Sequence, residues 1–496
     1  MMTITELQQR YAAHPNVEAM SGLLKNPSVR TLFCGGLCAS AASLFSSVLV
    51  QRGEFPFVFI LGDLEEAGYF YHDLTQVLGT DKVLFFPSSF RRAIKYGQKD
   101  AANEILRTEV LSRLQKGEEG LCVVTYPDAL AEKVVSRKEL GDKTLKLHSG
   151  ENVDTNFIME VLRSYGFEYV DYVYEPGQYA VRGSIIDVFS FSSEFPYRID
   201  FFGDEVESIR TFEVETQLSK EKKDSIVIVP DLSRSLEQGG ANGMVSFLDF
   251  LSADTVLAMR DLLWLRERIQ TVHDETLTPQ AIAAREAEES GCITLDGKLI
   301  DGSEFTLRAL DFRRMEFGNK PTGTPDATIT FDTSAQPIFR KNFDMVAESF
   351  KEYMEKGYAL YICSDSMKQT DRIRAIFEDR GDQIAFTAVE RTLHEGFADN
   401  ALRLCIFTDH QLFDRFHKYN LKSDKARSGK VALSLKELNQ FTPGDYVVHT
   451  DHGVGRFSGL VRIPNGDTTQ EVMKLVYQNE DVVFVSIHSL HKVSKY

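Results

Sequence analysis

The sequence lacks a long apolar run, a basic leader, paired cysteines and any excess of positive charge, and each absence removes a class of function. No stretch approaches the ~18 consecutive apolar residues that a membrane-spanning helix needs. The first twenty residues, Met1 to Met20, hold no basic segment followed by an apolar core, so they do not read as a secretory signal. Six cysteines (Cys34, Cys38, Cys122, Cys292, Cys363, Cys405) are scattered without a C-x-x-C pair. Several sit in apolar runs, where a reduced thiol is a small hydrophobe. A reducing, cytoplasmic compartment is expected. The net charge of −17, from 56 basic and 73 acidic side chains, repels phosphate on average. Non-specific binding to DNA or to an anionic membrane is therefore disfavoured, and docking on other proteins is the better expectation. Neither G-x-S-x-G nor H-E-x-x-H occurs, which argues against the common hydrolase chemistries.

What is present is a chain of 496 residues, 43% hydrophobic and 26% charged, which is globular composition at several times the size of one domain. Up to residue 140, short apolar runs (Val29–Cys34, Phe57–Leu61, Lys82–Phe86, Leu121–Thr125) alternate with amphipathic stretches such as Asp63–Leu78 and Asp100–Lys116. That alternation predicts an open parallel sheet of α/β type. From 141 to 230 the period falls toward two, predicting a mainly antiparallel module over Gly183–Phe191, Tyr197–Phe202 and Ser208–Glu213. Residues 231–335 mix a helix, Asp261–His273, with strands. Residues 336–425 return to α/β with strands Ala359–Ser364 and Leu402–Thr408, 426–440 read as a linker, and 441–496 as a turn-rich all-β unit.

The first strand runs into Gly35-Gly36-Leu37-Cys38-Ala39-Ser40-Ala41-Ala42-Ser43. Against the phosphate-loop pattern G-x-x-x-x-G-K-[ST], Gly36 and Ser43 hold their places, Ala41 replaces the second glycine and Ala42 replaces the lysine. Without that cation the loop is expected to be non-functional, a small-residue helix start packed on the sheet.

In the module, strand alternation places Tyr197, Ile199 and Phe201 on one face and Arg198, Asp200 and Phe202 on the other. An aromatic beside an arginine on a polar face has the composition of a protein-binding patch, or of a covered and locally paired surface. The run Gln178-Tyr-Ala-Val-Arg182-Gly183-Ser-Ile-Ile-Asp187-Val-Phe189, continued by Tyr197-Arg198-Ile-Asp200-Phe-Phe202-Gly203-Asp204-Glu205, resembles the UvrA-binding module shared by the excision-repair protein UvrB and the transcription-repair coupling factors. The resemblance implies that Arg182, Arg198 and Phe202 contact UvrA, exposed on one face. The altered loop fits it too, since the coupling factors resemble UvrB at their N-terminus without its ATP-binding lysine.

In the last segment, Gly444-Asp-Tyr-Val-Val-His449-Thr-Asp-His452-Gly453-Val-Gly455-Arg456-Phe457-Ser-Gly459-Leu460 reads as strand, glycine turn, strand, with a second hairpin at Asn465-Gly466. Four or five short strands in ~50 residues predict a small curved barrel. The segment is similar to the RNA-polymerase-interacting domain that the coupling factors share with CarD-type regulators. It implies contact with the polymerase β subunit through Gly455, Arg456, Phe457, Gly459, Leu460 and Ile463, along an edge strand Val454–Ile463. The pairs His449/His452 and His488/His491 suggest zinc, but a spacing of three on a strand sends side chains to opposite faces and no cysteine is near, so no metal is expected.

Both motifs in this order resemble the N-terminal half of the transcription-repair coupling factors. The implied fold is multidomain α/β: a degenerate phosphate-loop sheet (1–140 with 231–335), an inserted antiparallel UvrA-binding module (141–230), a further α/β domain, and a C-terminal SH3/Tudor-like barrel. The implied function is transcription-coupled repair, with RNA polymerase and UvrA as partners and no cofactor in this stretch. ATP, Mg²⁺ and DNA would be engaged only by translocase domains that a longer parent carries, and the chain reads as a fragment of it. A UvrB-type damage-recognition protein is the alternative, but it would need the missing lysine and leaves the C-terminal unit unexplained. A stand-alone CarD-type regulator would not carry ~440 preceding residues.

Overall fold

The computed structural model describes residues 2–89, 101–214, 216–232, 244–276, 297–415, 417, 419, 444–449, 452–465, 468–478, 481–486 and 493–495. They form two units, one from 1–139 with 236–421 and one from 140–235 with 422–496.

In the first unit, runs such as Phe57–Ile60, Val83–Phe86, Cys122–Thr125 and Val256–Met259 are buried at every position. Strands covered on both faces carry continuous apolar runs, and this is what made the first three readable. They lie in a seven-stranded sheet ordered Ala327–Thr330, Thr31–Gly35, Arg313–Gly318, Val256–Met259, Phe57–Ile60, Cys122–Thr125, Val83–Phe86. Every neighbouring pair is parallel. The helix Leu64–Leu78 starts where the Asp63 carboxylate accepts the Glu65 and Glu66 N–H groups. The helix Ala41–Arg52 stops at Gly53, whose φ of 66° is left-handed.

A second sheet in this unit is ordered Met2–Thr3, Thr387–Glu390, Ala359–Ser364, Leu404–Thr408, Phe397–Asp399, Thr333–Ala335. Its first four strands are parallel and the last two join antiparallel. Phe350, Ile362, Ile373, Phe377 and Phe407 fill its core.

In the second unit, six strands run Ser219–Lys223, Glu205–Phe212, Tyr197–Phe202, Ile185–Val188, Gln178–Arg182, Glu168–Tyr169, antiparallel except at the last pair. The helix Thr155–Ser164 closes one face with Ile158 and Leu162 over Ile186, Ile199, Phe201 and Ile209. The C-terminal residues form a five-stranded antiparallel sheet ordered Val482–Ser486, Thr468–Val476, Gly453–Asn465, Tyr446–His449, Val493–Lys495. Its core is small: Val447, Phe457, Met473, Leu475 and Val485. The class is thus mixed α/β, with parallel and antiparallel sheets and a small antiparallel sheet at the C-terminus. Among the described residues no helix is long and apolar enough to cross a membrane.

Candidate functional site

The strand Tyr197–Phe202 alternates as its sequence requires. Ile199 and Phe201 enter the module's core, which leaves Arg198, Asp200 and Phe202 on the opposite face. Register then sets Asp187 beside Arg198, and Arg198 beside Arg210. The Asp187 carboxylate, 1% exposed, accepts Arg198 Nε at 2.8 Å and Nη2 at 2.9 Å, a bidentate fork, and a further N–H from Arg182. Arg198 Nη1 donates to the Gln217 carbonyl at 3.0 Å, and the guanidinium lies 4.4 Å from the centre of the Phe212 ring.

The expectation that all three motif side chains are exposed therefore needs correcting. Arg198 is only 14% exposed. The polar face carries its own small apolar cluster of Val173, Ala180, Phe189 and Phe212, and Arg198 lies across it. Arg182, 34% exposed, lies 4.9 Å from the Tyr172 ring centre. Phe202 is 79% exposed at a hairpin tip, paired to Glu205 around Gly203, whose φ is 64°. Two further members were not singled out from sequence. Asp187 joins both motif arginines, and Arg210 pairs with Asp200 at 2.8 Å. Asp187 stood in the quoted motif and Arg210 five residues beyond it, and pairing neighbouring strands would have found them.

The C-terminal strand departs further from expectation. The strand is not an edge of its sheet: residues 453–456 pair with Tyr446–His449 on one side, and Arg456, Phe457 and 460–465 pair with Thr468–Val476 on the other. Beyond the register shift between Phe457 and Leu460, the strand is paired on one side only among the described residues. Gly459 sits at that shift with φ 112°, a conformation glycine adopts without strain. A Cβ on Gly455 would lie 2.9 Å from the Tyr477 ring, so this glycine makes room for a core-side aromatic and does not clear an edge. Phe457 is buried in the sheet's core, whereas Arg456 and Leu460 are exposed. The side chain of Ile463 lies outside the described residues, as do His488 and His491. The His449 and His452 rings come to 4.7 Å, because His449 pairs with Gly453 across two antiparallel strands and the two histidines do not share one strand. Among the described residues no group of three or more metal-ligating side chains is placed to hold an ion.

At the altered loop, Gly36 has φ +83° and a Cβ there would fall 2.0 Å from the Phe331 carbonyl. The Ser43 hydroxyl lies 2.7 Å from Asp73 Oδ2 and 3.0 Å from the Ser40 carbonyl. Burial pushes the Asp73 carboxyl up to about 6, against the opposing pull of hydrogen bonds from Ser40, Ser43 and the His394 N–H. Ala42 and Ser43 line a cleft of ≈ 810 Å³ whose wall includes Glu65, Glu66, Asp261 and Glu395 against the cations Arg260 and Lys320. A triphosphate would meet carboxylates where it needs a lysine.

Residues 145–233 match the family model described as the UvrB interaction domain, and residues 441–496 the one described as the CarD-like/TRCF RID domain. The curated "Transcription-repair-coupling factor" of Staphylococcus aureus (strain bovine RF122 / ET3-1) is 23% identical over 528 residues, covering 93% of this chain and 45% of the relative. That of Bacillus subtilis (strain 168) is 21% identical over 533 residues, covering 93% and 44%. The chain spans less than half the length of these relatives. The likeness read from the Arg182–Phe202 and Gly444–Leu460 motifs thus holds at both places and extends over most of the chain.

Proposed function

From its likeness to the transcription-repair-coupling factors, we propose that this chain links stalled transcription to nucleotide excision repair by holding two protein partners at once. RNA polymerase, through its β subunit, docks on the C-terminal sheet at Arg456, Leu460 and the one-sided strand beyond Gly459. UvrA docks on the module around Phe202 and Arg182. The observation that carries the reading is a pair of domain matches in this order, 145–233 and then 441–496, with a bare phenylalanine at the tip of the first. A phenyl ring left in water gains its burial free energy only when a partner covers it.

The chain works as an adaptor without a cofactor. Ala42 leaves a phosphate group uncompensated, and Ser43 is already engaged by Asp73. ATP, Mg²⁺ and DNA belong, in this reading, to parts of the longer relatives outside the matched region. The test is a pull-down of purified UvrA and of RNA polymerase on the immobilised chain. Phe202→Ala should lose UvrA and keep polymerase, and Leu460→Arg should do the reverse. If the wild-type chain retains neither partner, the adaptor reading is wrong.

A further inference from the structure

The altered loop is gripped from two sides by the second sheet of its own unit. Between strands Thr387–Glu390 and Phe397–Asp399, the chain turns through Arg391 (φ 77°), and residues 392–395 reach the loop. The His394 N–H donates to Asp73 Oδ1 at 2.7 Å and the Glu395 N–H to Ser40 Oγ at 2.9 Å. The His394 ring stacks on Tyr69 at 3.5 Å between centroids, 11° from parallel. The segment is held from behind as well. The His394 carbonyl accepts from His410 Nε2 at 2.8 Å, the Gly396 N–H donates to Gln411 Oε1 at 2.8 Å, and the Thr392 N–H to Asp365 at 3.1 Å. A non-glycine residue at φ 77° is strained and persists only where its surroundings over-determine it. At the loop's other end, the Thr333 hydroxyl donates to the Gly36 carbonyl at 2.6 Å and accepts the Cys38 N–H at 3.1 Å.

These are the groups a nucleotide would need. A phosphate loop offers its backbone N–H groups to the phosphates and its Ser/Thr hydroxyl to the metal. Here the Cys38 N–H is bonded to Thr333, and the Ser43 hydroxyl meets Asp73, whose other oxygen is bonded to the second sheet.

We propose that Thr392–Glu395 and Thr333 are a built-in ligand of the silenced loop, a latch that fastens the second sheet to the first without nucleotide. The loss of the lysine is then only half of the silencing, and the occupant is the other half. This does not depend on which partners the chain binds.

Two measurements on the whole chain test it. The double variant Ala41→Gly/Ala42→Lys restores the phosphate-loop pattern, yet calorimetry with Mg·ATP should still show no binding at micromolar concentrations, because the latch remains. Micromolar affinity in that variant would overturn the proposal. In Asp73→Ala, amide hydrogen exchange at His394 should quicken at least tenfold while the strand Leu404–Thr408 keeps its protection. An equally protected His394 amide would overturn it. Should that variant fail to fold, Ser40→Ala removes the acceptor of the Glu395 N–H together with one hydrogen bond to Asp73, and the Glu395 amide should quicken in the same way. Unchanged exchange there counts equally against the latch.

Discussion

Asp187 is the residue on which the module's polar face depends, because one buried carboxylate holds two arginines. Arg198→Ala would leave it with a single partner, and breaking a buried ion pair typically costs ~3–5 kcal/mol. We therefore expect Arg198→Ala to lower the urea midpoint of the module as well as the proposed binding of UvrA. Phe202→Ala, at 79% exposure, should leave the midpoint within error and still weaken binding by ~30-fold or more, as truncated aromatic anchors do. Equal stability of the two variants would refute that division of labour. Asp73 gives a pH prediction. Its folded-state pKa of about 6 lies above its ordinary value of 3.8, so the native state holds the proton longer than the unfolded chain. The contribution of Asp73 to stability then falls as pH rises between ~4 and ~6. Asp73→Asn escapes this, and should gain on the order of 2 kcal/mol relative to wild type between pH 4.5 and 7.5. The buried histidines His394 and His417, lowered to about 4, act alike in both proteins and cancel. A pH-independent difference in denaturation midpoints would show that Asp73 titrates normally.

Among the elements, the strands wrapped in apolar neighbours were legible almost to the residue: Phe57–Leu61 was expected and Phe57–Ile60 forms, and Tyr197–Phe202 and Ala359–Ser364 form as read. Illegible were elements whose existence depends on distant partners. The two-residue strand Met2–Thr3 has no pattern of its own and exists because Val389 and Glu390 offer an edge. Ala327–Thr330 finds Leu32–Gly35 across ~300 residues of sequence. The same limit governed the candidate site. Alternation along one strand placed Arg198 and Phe202 on one face, but the burial of Arg198 comes from Phe212 and Gln217 on the neighbouring strand and turn. At the C-terminus, register decides that Phe457 is core and Gly455 lies beneath Tyr477, and no single-strand reading contains register. Gly36 offers a test of such an invisible contact. An added methyl would meet the Phe331 carbonyl at 2.0 Å in a left-handed backbone, two penalties of ~1–3 kcal/mol each. Gly36→Ala should lower the melting temperature of the first unit, and Gly53→Ala, also left-handed but with nothing within 4 Å, should lower it less. Equal losses would mean that the contact yields.

At the scale of the whole molecule, the segment that matches the UvrB interaction domain has a core of its own. Among the described residues its core cluster, from Leu147 through Phe201 to Ile228, draws on none outside 145–228. A fragment of residues 140–235 should fold cooperatively by circular dichroism and retain UvrA, and a fragment that stays unfolded would show that flanking chain is required. The sheet that surrounds this segment in sequence is the opposite case. Thr31–Gly35, Phe57–Ile60, Val83–Phe86 and Cys122–Thr125 come before the module, while Val256–Met259, Arg313–Gly318 and Ala327–Thr330 come after it. Two of the later strands lie between two of the earlier ones, so the sheet cannot be assembled from its first half. On a ribosome adding ~5–20 residues per second, the ~100 residues from Ile228 to Thr330 take roughly 5–20 s. For that interval the nascent chain carries the complete 145–228 segment while Phe57–Ile60 waits with one neighbour, Cys122–Thr125, and Thr31–Gly35 waits with none, because both of its partners, Arg313–Gly318 and Ala327–Thr330, are made later. Translation through residues 229–330 therefore sets how long the apolar strands of this sheet stay unpaired after the inserted segment is complete.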